Sequence, residues 1–277
     1  MLKLAVVGKD VSQSQSPKMH TFILERLGET CSYDRVSVPP EAFSERAEEL
    51  FGRYDAFNVT IPFKTEILPF LRSVEGDALS FGAVNTVLTK DRTGWNTDGY
   101  GFLLLLQNAD THVEGRSVLL LGAGGVGRSC IKKLTEAGAD VFVYERDEAR
   151  LDAVYREFGG FTPLKTVPVR PYDVVINATG IGMHDTVGKT PEVRFSDGIR
   201  PVDAELLAQC KTAVELIYVP AETQFLRIAK SVGAKTVGGA PMLFYQAYRA
   251  DCIYLNREPN AAEAKLLWER YRKEESI

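Results

Sequence analysis

The sequence predicts an α/β protein with largely parallel sheets and length for two domains. Three observations predict it. Apolar, β-branched runs alternate with amphipathic segments for most of the chain. The chain has 277 residues, enough for two domains of ordinary size. A glycine-rich turn, Gly122-Ala123-Gly124-Gly125-Val126-Gly127, joins an apolar run to an amphipathic one. That strand–turn–helix context is the one in which such a turn holds a dinucleotide pyrophosphate.

Each element follows from local pattern. Leu4–Val7 reads as a buried first strand and Tyr33–Val38 as the second. Between them Lys18–Leu27 has helical spacing, with Pro17 at its start and Gly28 at its end. Pro39-Pro40 precedes a helix over Glu41–Leu50. Ala56–Val59 is a third strand, and Lys64–Phe70 is expected to open a helix. Val84–Leu88 and Gly94–Trp95 read as strands flanking a turn at Asp91–Gly94. Tyr100–Gln107 is a leucine-rich connecting helix. Ser117–Leu121 is a continuous apolar run, as in the middle of a parallel sheet. Helices are expected over Arg128–Ala137, Glu148–Phe158, Glu222–Val232, Met242–Leu255 and Ala261–Arg272. Strands are expected over Val141–Tyr144, Val174–Asn177 and Ala213–Ile217. His184–Pro201 is the most loop-like stretch.

Composition excludes several classes. Hydrophobic residues make up 45% and charged residues 25%, as in a soluble globular protein. The net charge of −4 gives no electrostatic reason to expect nucleic acid or an anionic membrane as partner. No stretch approaches the ~18 apolar residues of a membrane span. The first apolar run is too short, and too soon followed by polar residues, for a signal peptide. Cys31, Cys130, Cys210 and Cys252 are scattered without C-x-x-C spacing, which fits free thiols in a reducing cytoplasm. His20, His112 and His184 are equally scattered, so no metal site is expected.

Three short segments carry the chemistry: Asn58-Val59-Thr60-Ile61-Pro62-Phe63-Lys64, Gly82-Ala83-Val84-Asn85-Thr86, and Gly94-Trp95-Asn96-Thr97-Asp98-Gly99. They place a lysine, a carboxylate and several amides and hydroxyls shortly before the glycine loop. Oxidising an alcohol needs a hydride acceptor and a group that removes the hydroxyl proton, and a lysine–carboxylate pair can do the second. Taken alone, Lys64 would be a solvated surface lysine, the usual case. Serines before a helix, as at Ser14 and Ser16, are more often simple caps.

The order and wording of these segments resemble the shikimate dehydrogenase family, from the first strand to the last helix. The resemblance implies two domains with a cleft between them. Residues 1–99 with 239–277 form a discontinuous substrate domain, and 100–238 a Rossmann-type dinucleotide domain. It implies reversible reduction of 3-dehydroshikimate to shikimate, a step of chorismate and aromatic amino-acid biosynthesis. The matching lysine and aspartate of the family meet at the reacting hydroxyl, which makes Lys64 and Asp98 the catalytic candidates; which of them takes the proton is left open. Ser14-Gln15-Ser16-Pro17 resembles the family segment that binds the substrate carboxylate. Thr60, Asn85, Tyr218 and Gln246 match residues that bind the rest of the substrate. Leu216 and Gly239 would line the nicotinamide by backbone contact. Serine rather than threonine at Ser16 is the more usual choice in shikimate-preferring members.

The chain departs from the family at several positions, among them Thr21, where asparagine is commoner. Glu215 and Val219 stand in a segment that commonly reads D-x-x-Y-N-P, and Gly180 replaces a proline. Glu145-Arg146-Asp147, with Arg150, stands where the family commonly has Asn-Arg-Thr and a further basic residue. Glu145 lies 23 residues after Gly122, where an acid reads the adenosine ribose of NAD(H). Arg146 and Arg150 could clamp the 2′-phosphate of NADP(H). The balance leans to NADP(H), with NAD(H) the alternative. The partner set is then a small hydroxylated acid and a dinucleotide, acting on a monomer or homodimer. A quinate/shikimate dehydrogenase of relaxed cofactor use is the alternative. A non-catalytic dinucleotide sensor is the remote one, disfavoured because Lys64 and Asp98 are both present.

Overall fold

The computed structural model describes residues 1–183 and 204–276. The segment His184–Pro201 therefore lies outside the described residues. The chain divides into two compact units, Met1–Gly101 with Phe244–Ile277, and Phe102–Leu243.

The first unit holds β1 (Leu2–Gly8), α1 (Ser16–Arg26), β2 (Cys31–Ser37), α2 (Phe43–Arg53), β3 (Ala56–Val59), β4 (Ser73–Val74), α3 (Asp77–Phe81), β5 (Thr86–Leu88) and β6 (Thr93–Trp95). Its six-stranded sheet has the order β2-β1-β3-β5-β6-β4. The β1–β2 and β1–β3 pairs are parallel, while β5 runs antiparallel to both of its neighbours. Alternation along β1 sends Ala5 and Val7 into one apolar cluster with Phe43, Phe57 and Phe63. Leu4 goes into another with Leu24, Ala56, Ala250 and Tyr254.

Two long helices belong to both units: α4 (Asp98–Asn108) and, further along the chain, Ala240–Tyr254. The second unit holds β7 (Ser117–Leu121), α5 (Gly125–Glu136), β8 (Asp140–Tyr144), α6 (Glu148–Phe158), β9 (Thr162–Leu164), β10 (Tyr172–Asn177), α7 (Ala204–Leu207), β11 (Cys210–Glu215), α8 (Gln224–Ser231) and β12 (Lys235–Val237). The Ala240–Tyr254 helix is α9, and α10 (Ala261–Glu274) closes the chain in the first unit. The second sheet has the order β9-β8-β7-β10-β11-β12, parallel throughout. Counted along the chain that is 3-2-1-4-5-6, the doubly wound order. Val118 and Leu120 of β7 face one apolar cluster and Leu119 and Leu121 the other, so both faces of this strand are buried.

The structure corrects the expected helix over Lys64–Phe70. The stretch is a series of turns ending in a 3-10 turn at Leu68–Phe70. Pro69 has no N–H to continue a helix, and the Lys64 carbonyl accepts instead from Val84 N–H at 2.8 Å. The last turn of the β11 region also differs: the strand stops at Glu215 because Ile217 N–H donates to the Glu215 side chain rather than to a ladder partner. Five short elements go unread in the sequence, β4, α3, β9, α7 and β12, each of two to five residues.

Candidate active site

In the first unit the candidate residues that adjoin the sheet lie at one end of its strands. Ser14 and Ser16 lie in the segment after β1, Thr60 and Lys64 follow β3, Asn85 precedes the antiparallel β5, and Asp98 follows β6. This is the carboxyl end of β1, β3 and β6, the end of the strands where ligands bind in open α/β sheets. Lys64 Nζ donates to Asp98 Oδ2 at 2.6 Å, with side-chain exposures of 19% and 4%. Asn85 Nδ2 donates to Asp98 Oδ1 at 2.9 Å and reaches Thr97 Oγ1 and Gln246 Oε1. Thr97 N–H donates to Asn85 Oδ1, and Asp98 N–H to Asn96 Oδ1. Lys64, Asn85, Asp98 and Gln246 are thus one cluster drawn from four places in the sequence. Each fixes a neighbour, so the pair is held ready rather than assembled by a ligand.

Ser14 and Ser16 form a second cluster. Ser14 Oγ donates to Ser16 Oγ at 3.1 Å and accepts from Ser16 N–H. Arg35, which sequence reading missed, grips the Ser14 carbonyl with two N–H groups at 3.0 and 2.8 Å. Thr60 sits against β1 through its N–H on the Val7 carbonyl. A Cβ on Gly8 would lie 2.5 Å from the Thr60 methyl, so glycine is required there. Tyr218 lies in the second unit, partly exposed past the end of β11. His20 is buried on Asp251 at 2.6 Å and stacked on Tyr33, a packing role, and burial pushes the Asp251 carboxyl up to about 6.

In the second unit a cavity of about 300 Å³ opens over the glycine loop, lined by Gly122, Gly124, Tyr144, Glu145, Arg146, Arg150 and the 178–181 turn. Gly122 has φ +97°, and a Cβ there would meet Thr179 at 2.9 Å. A Cβ on Gly127 would run into the Gly122 carbonyl, which is the close helix–strand packing asked of the last loop glycine. Gly124 and Gly125 differ: a Cβ on either meets nothing within 4 Å. Internal packing does not explain glycine there, whereas a phosphate against the bare N-terminus of α5 does. The loop therefore fits a dinucleotide.

Both carboxylates of the Glu145-Arg146-Asp147 departure have local work. Glu145 accepts from Ala123 N–H at 2.9 Å and from Asp147 N–H at 3.1 Å, clasping the loop to the end of β8. Asp147 is the N-cap of α6, accepting from Arg150 N–H. Arg150 lies 3.6 Å from Glu145 and 3.5 Å from Asp147, with its side chain half exposed. Gly239 approaches the backbone of Leu216 so closely that a Cβ would sit 2.5 Å from its carbonyl oxygen.

Residues 6–87 match the family model for the shikimate dehydrogenase substrate binding domain, and 104–187 that for shikimate / quinate 5-dehydrogenase. A shikimate dehydrogenase (NADP(+)) of Thermus thermophilus is 39% identical over 265 residues, 94% of this chain and 95% of that one. The chain belongs to the shikimate dehydrogenase family. Among solved structures of the family, the Thermus thermophilus shikimate 5-dehydrogenase in complex with NADP(H) and shikimate superposes with a TM-score of 0.83 at 35% identity, covering 98% of this chain and 99% of that one. The ligand-free 5-ketofructose reductase of a Gluconobacter strain superposes at 0.79 with 25% identity, over 98% of each chain. Shikimate dehydrogenase architecture is thus shared with a protein named for a different ketone.

Proposed function

We propose that this chain catalyses the reversible oxidation of shikimate to 3-dehydroshikimate with NADP(H), serving chorismate formation in the cytoplasm. The observation that carries the reading is the Lys64–Asp98 pair, 2.6 Å apart and anchored by Asn85, in a chain of this family. No helix among the described residues is long and apolar enough to cross a membrane.

Residues 1–99 with 239–277 take the substrate and 100–238 the dinucleotide, a division supported by the two matched family models. Ser14 and Ser16 hold the substrate carboxylate, with Arg35 fixing their segment. Thr60, Asn85, Gln246 and Tyr218 hold the ring hydroxyls. As the hydride leaves the substrate carbon, the Lys64–Asp98 pair accepts the hydroxyl proton as one unit. The Lys64 ammonium group stabilises the charge that develops on the substrate oxygen in the reverse direction. NADP(H), when bound, would supply or take up the hydride. Gly122, Ala123, Gly124, Gly125 and Val126 cradle its pyrophosphate, Arg146 and Arg150 hold its 2′-phosphate, and Leu216 and Gly239 line the nicotinamide. Glu145 lines the same cavity and keeps the loop in place through Ala123 N–H. All these groups come from one chain, so a monomer or homodimer suffices.

The test is a set of initial rates on shikimate and quinate, each with NADP+ and NAD+. Fast turnover of shikimate with NADP+ is expected. No turnover in any combination would overturn the enzyme reading, and equal rates with NAD+ would mean that Glu145 reads the ribose.

A further inference from the structure

Glu215 is a buried carboxylate that the proposed reaction does not use. It ends β11 with no exposed surface. Its hydrogen-bond partners are donors. Asn177 Nδ2 lies 3.0 Å from both oxygens, Ile217 N–H is 3.1 Å from Oε1, and Thr223 Oγ1 is 2.8 Å from Oε2. Thr223 Oγ1 itself accepts from Leu226 N–H as the N-cap of α8, so its proton points to Glu215. Burial pushes the Glu215 pKa up while these bonds work to lower it. Donors directed at both oxygens favour the ionised form and work against the burial that opposes it. Among the described residues no lysine, arginine or histidine pairs with it, so the negative charge is satisfied by hydrogen bonds and not neutralised.

The same bonds reach both turns at this end of the sheet. Asn177 Oδ1 accepts from Thr179 N–H at 3.1 Å and Thr179 Oγ1 at 2.7 Å, and Thr179 Oγ1 accepts from Ile181 N–H. Glu215 holds its own turn through Ile217, and Leu216 N–H donates to the Asn177 carbonyl at 3.1 Å. In the 3-2-1-4-5-6 order the half with the glycine loop and Glu145 takes the adenosine end of a dinucleotide. The β10–β11 end, where Glu215 sits, then serves the nicotinamide end. An oxidised nicotinamide ring carries a positive charge and a reduced one carries none.

We propose that Glu215 is a positioning residue for the nicotinamide half of the cofactor, and that its unneutralised charge makes the site favour the oxidised form. The inference rests on the dinucleotide reading above. Its test is the affinity of the full chain for NADP+ and for NADPH, titrated separately by protein and nicotinamide fluorescence. Glu215→Gln is expected to weaken NADP+ binding about tenfold and NADPH binding about twofold, because a charge acts on a charge over this range. Glu215→Asp should keep the wild-type ratio of the two affinities to within about twofold, since the charge is retained. Thr223→Val, which removes one donor and leaves the charge, should weaken both forms equally, by about threefold. Equal loss for both forms in Glu215→Gln, or none, would overturn the charge effect. If circular dichroism shows that variant unfolded, Glu215→Asp and Thr223→Val decide. A ratio moved by more than about fivefold in the first, or unchanged binding in the second, overturns the inference. A wild-type chain that binds neither form would instead defeat the dinucleotide reading itself.

Discussion

The two units build their candidate sites from opposite materials. In the first, the site is side chains already bonded to one another: Lys64 to Asp98, Asp98 to Asn85, Asn85 to Gln246. In the second, the loop is backbone kept bare, with Gly124 and Gly125 facing open space and the Glu145 carboxylate tying the loop to the end of β8. The two sites are accordingly vulnerable to opposite changes. The first fails when a polar atom is lost, because the buried partner is left without a hydrogen bond. The second fails when an atom is added.

Removing an atom from the first site should therefore give the larger effect. Asn85→Ala leaves Asp98 Oδ1 without its Asn85 donor and is expected to lower kcat/KM for shikimate about a hundredfold, with about 1–3 kcal/mol lost in urea unfolding. A small change in rate with full loss of stability would make Asn85 structural only. Next comes the cationic rim of the second site. Arg150→Ala should raise the KM for NADP+ about tenfold and leave that for NAD+ unchanged, as for a charge-assisted bond to the 2′-phosphate. Equal shifts for both cofactors would place Arg150 with α6 rather than with the ligand.

The backbone claim is sharpened by two alanines. Gly122→Ala must adopt φ +97° against Thr179 and should cost about 1–3 kcal/mol of stability. Gly124→Ala should cost under about 0.5 kcal/mol yet weaken NADP+ binding, since its Cβ meets only the ligand's space. If both alanines shift the melting temperature equally, open space at Gly124 is not the reason for its glycine.

The smallest effect concerns neither site. Asp173 accepts from Lys211 at 2.6 Å and from Ser117 N–H, and these hold its carboxyl below the usual range. A lowered folded-state value stabilises above the unfolded pKa, near 3.8, and the contribution is lost as pH falls below it. The wild-type advantage over Asp173→Asn should be within about 1 kcal/mol at about pH 7 and smaller still at about pH 3. An advantage that grows on acidification would reverse the sign of this account.

The same contrast explains what the sequence made legible. The order of apolar runs yields both sheets, because strands such as Ser117–Leu121 are buried on two faces and read as unbroken apolar stretches. Short edge strands do not read: β9 holds Pro163, β12 has two exposed residues of three, and neither has a pattern long enough to detect. Lys64, Asn85 and Asp98 are legible because the chemistry lies in side chains within short segments. The bond from Asn85 to Gln246 spans 161 positions and only a resemblance anticipates its partners. Glu145 and Glu215 stand out in the sequence as departures, but what they do depends on which backbone amides reach them, and no single-sequence pattern encodes that.

Lys64 and Asp98 act together on the substrate proton, and the variant that separates this role from simple binding is Lys64→Ala. Its steady-state rate of shikimate oxidation with NADP+ should show kcat lowered about 10²–10⁴-fold, the range for loss of a general acid–base group. The KM for shikimate should stay within about tenfold, because Ser14, Ser16 and Thr60 still bind the substrate. A kcat near the wild-type value, with the loss confined to KM, would contradict the account and leave Lys64 a binding residue.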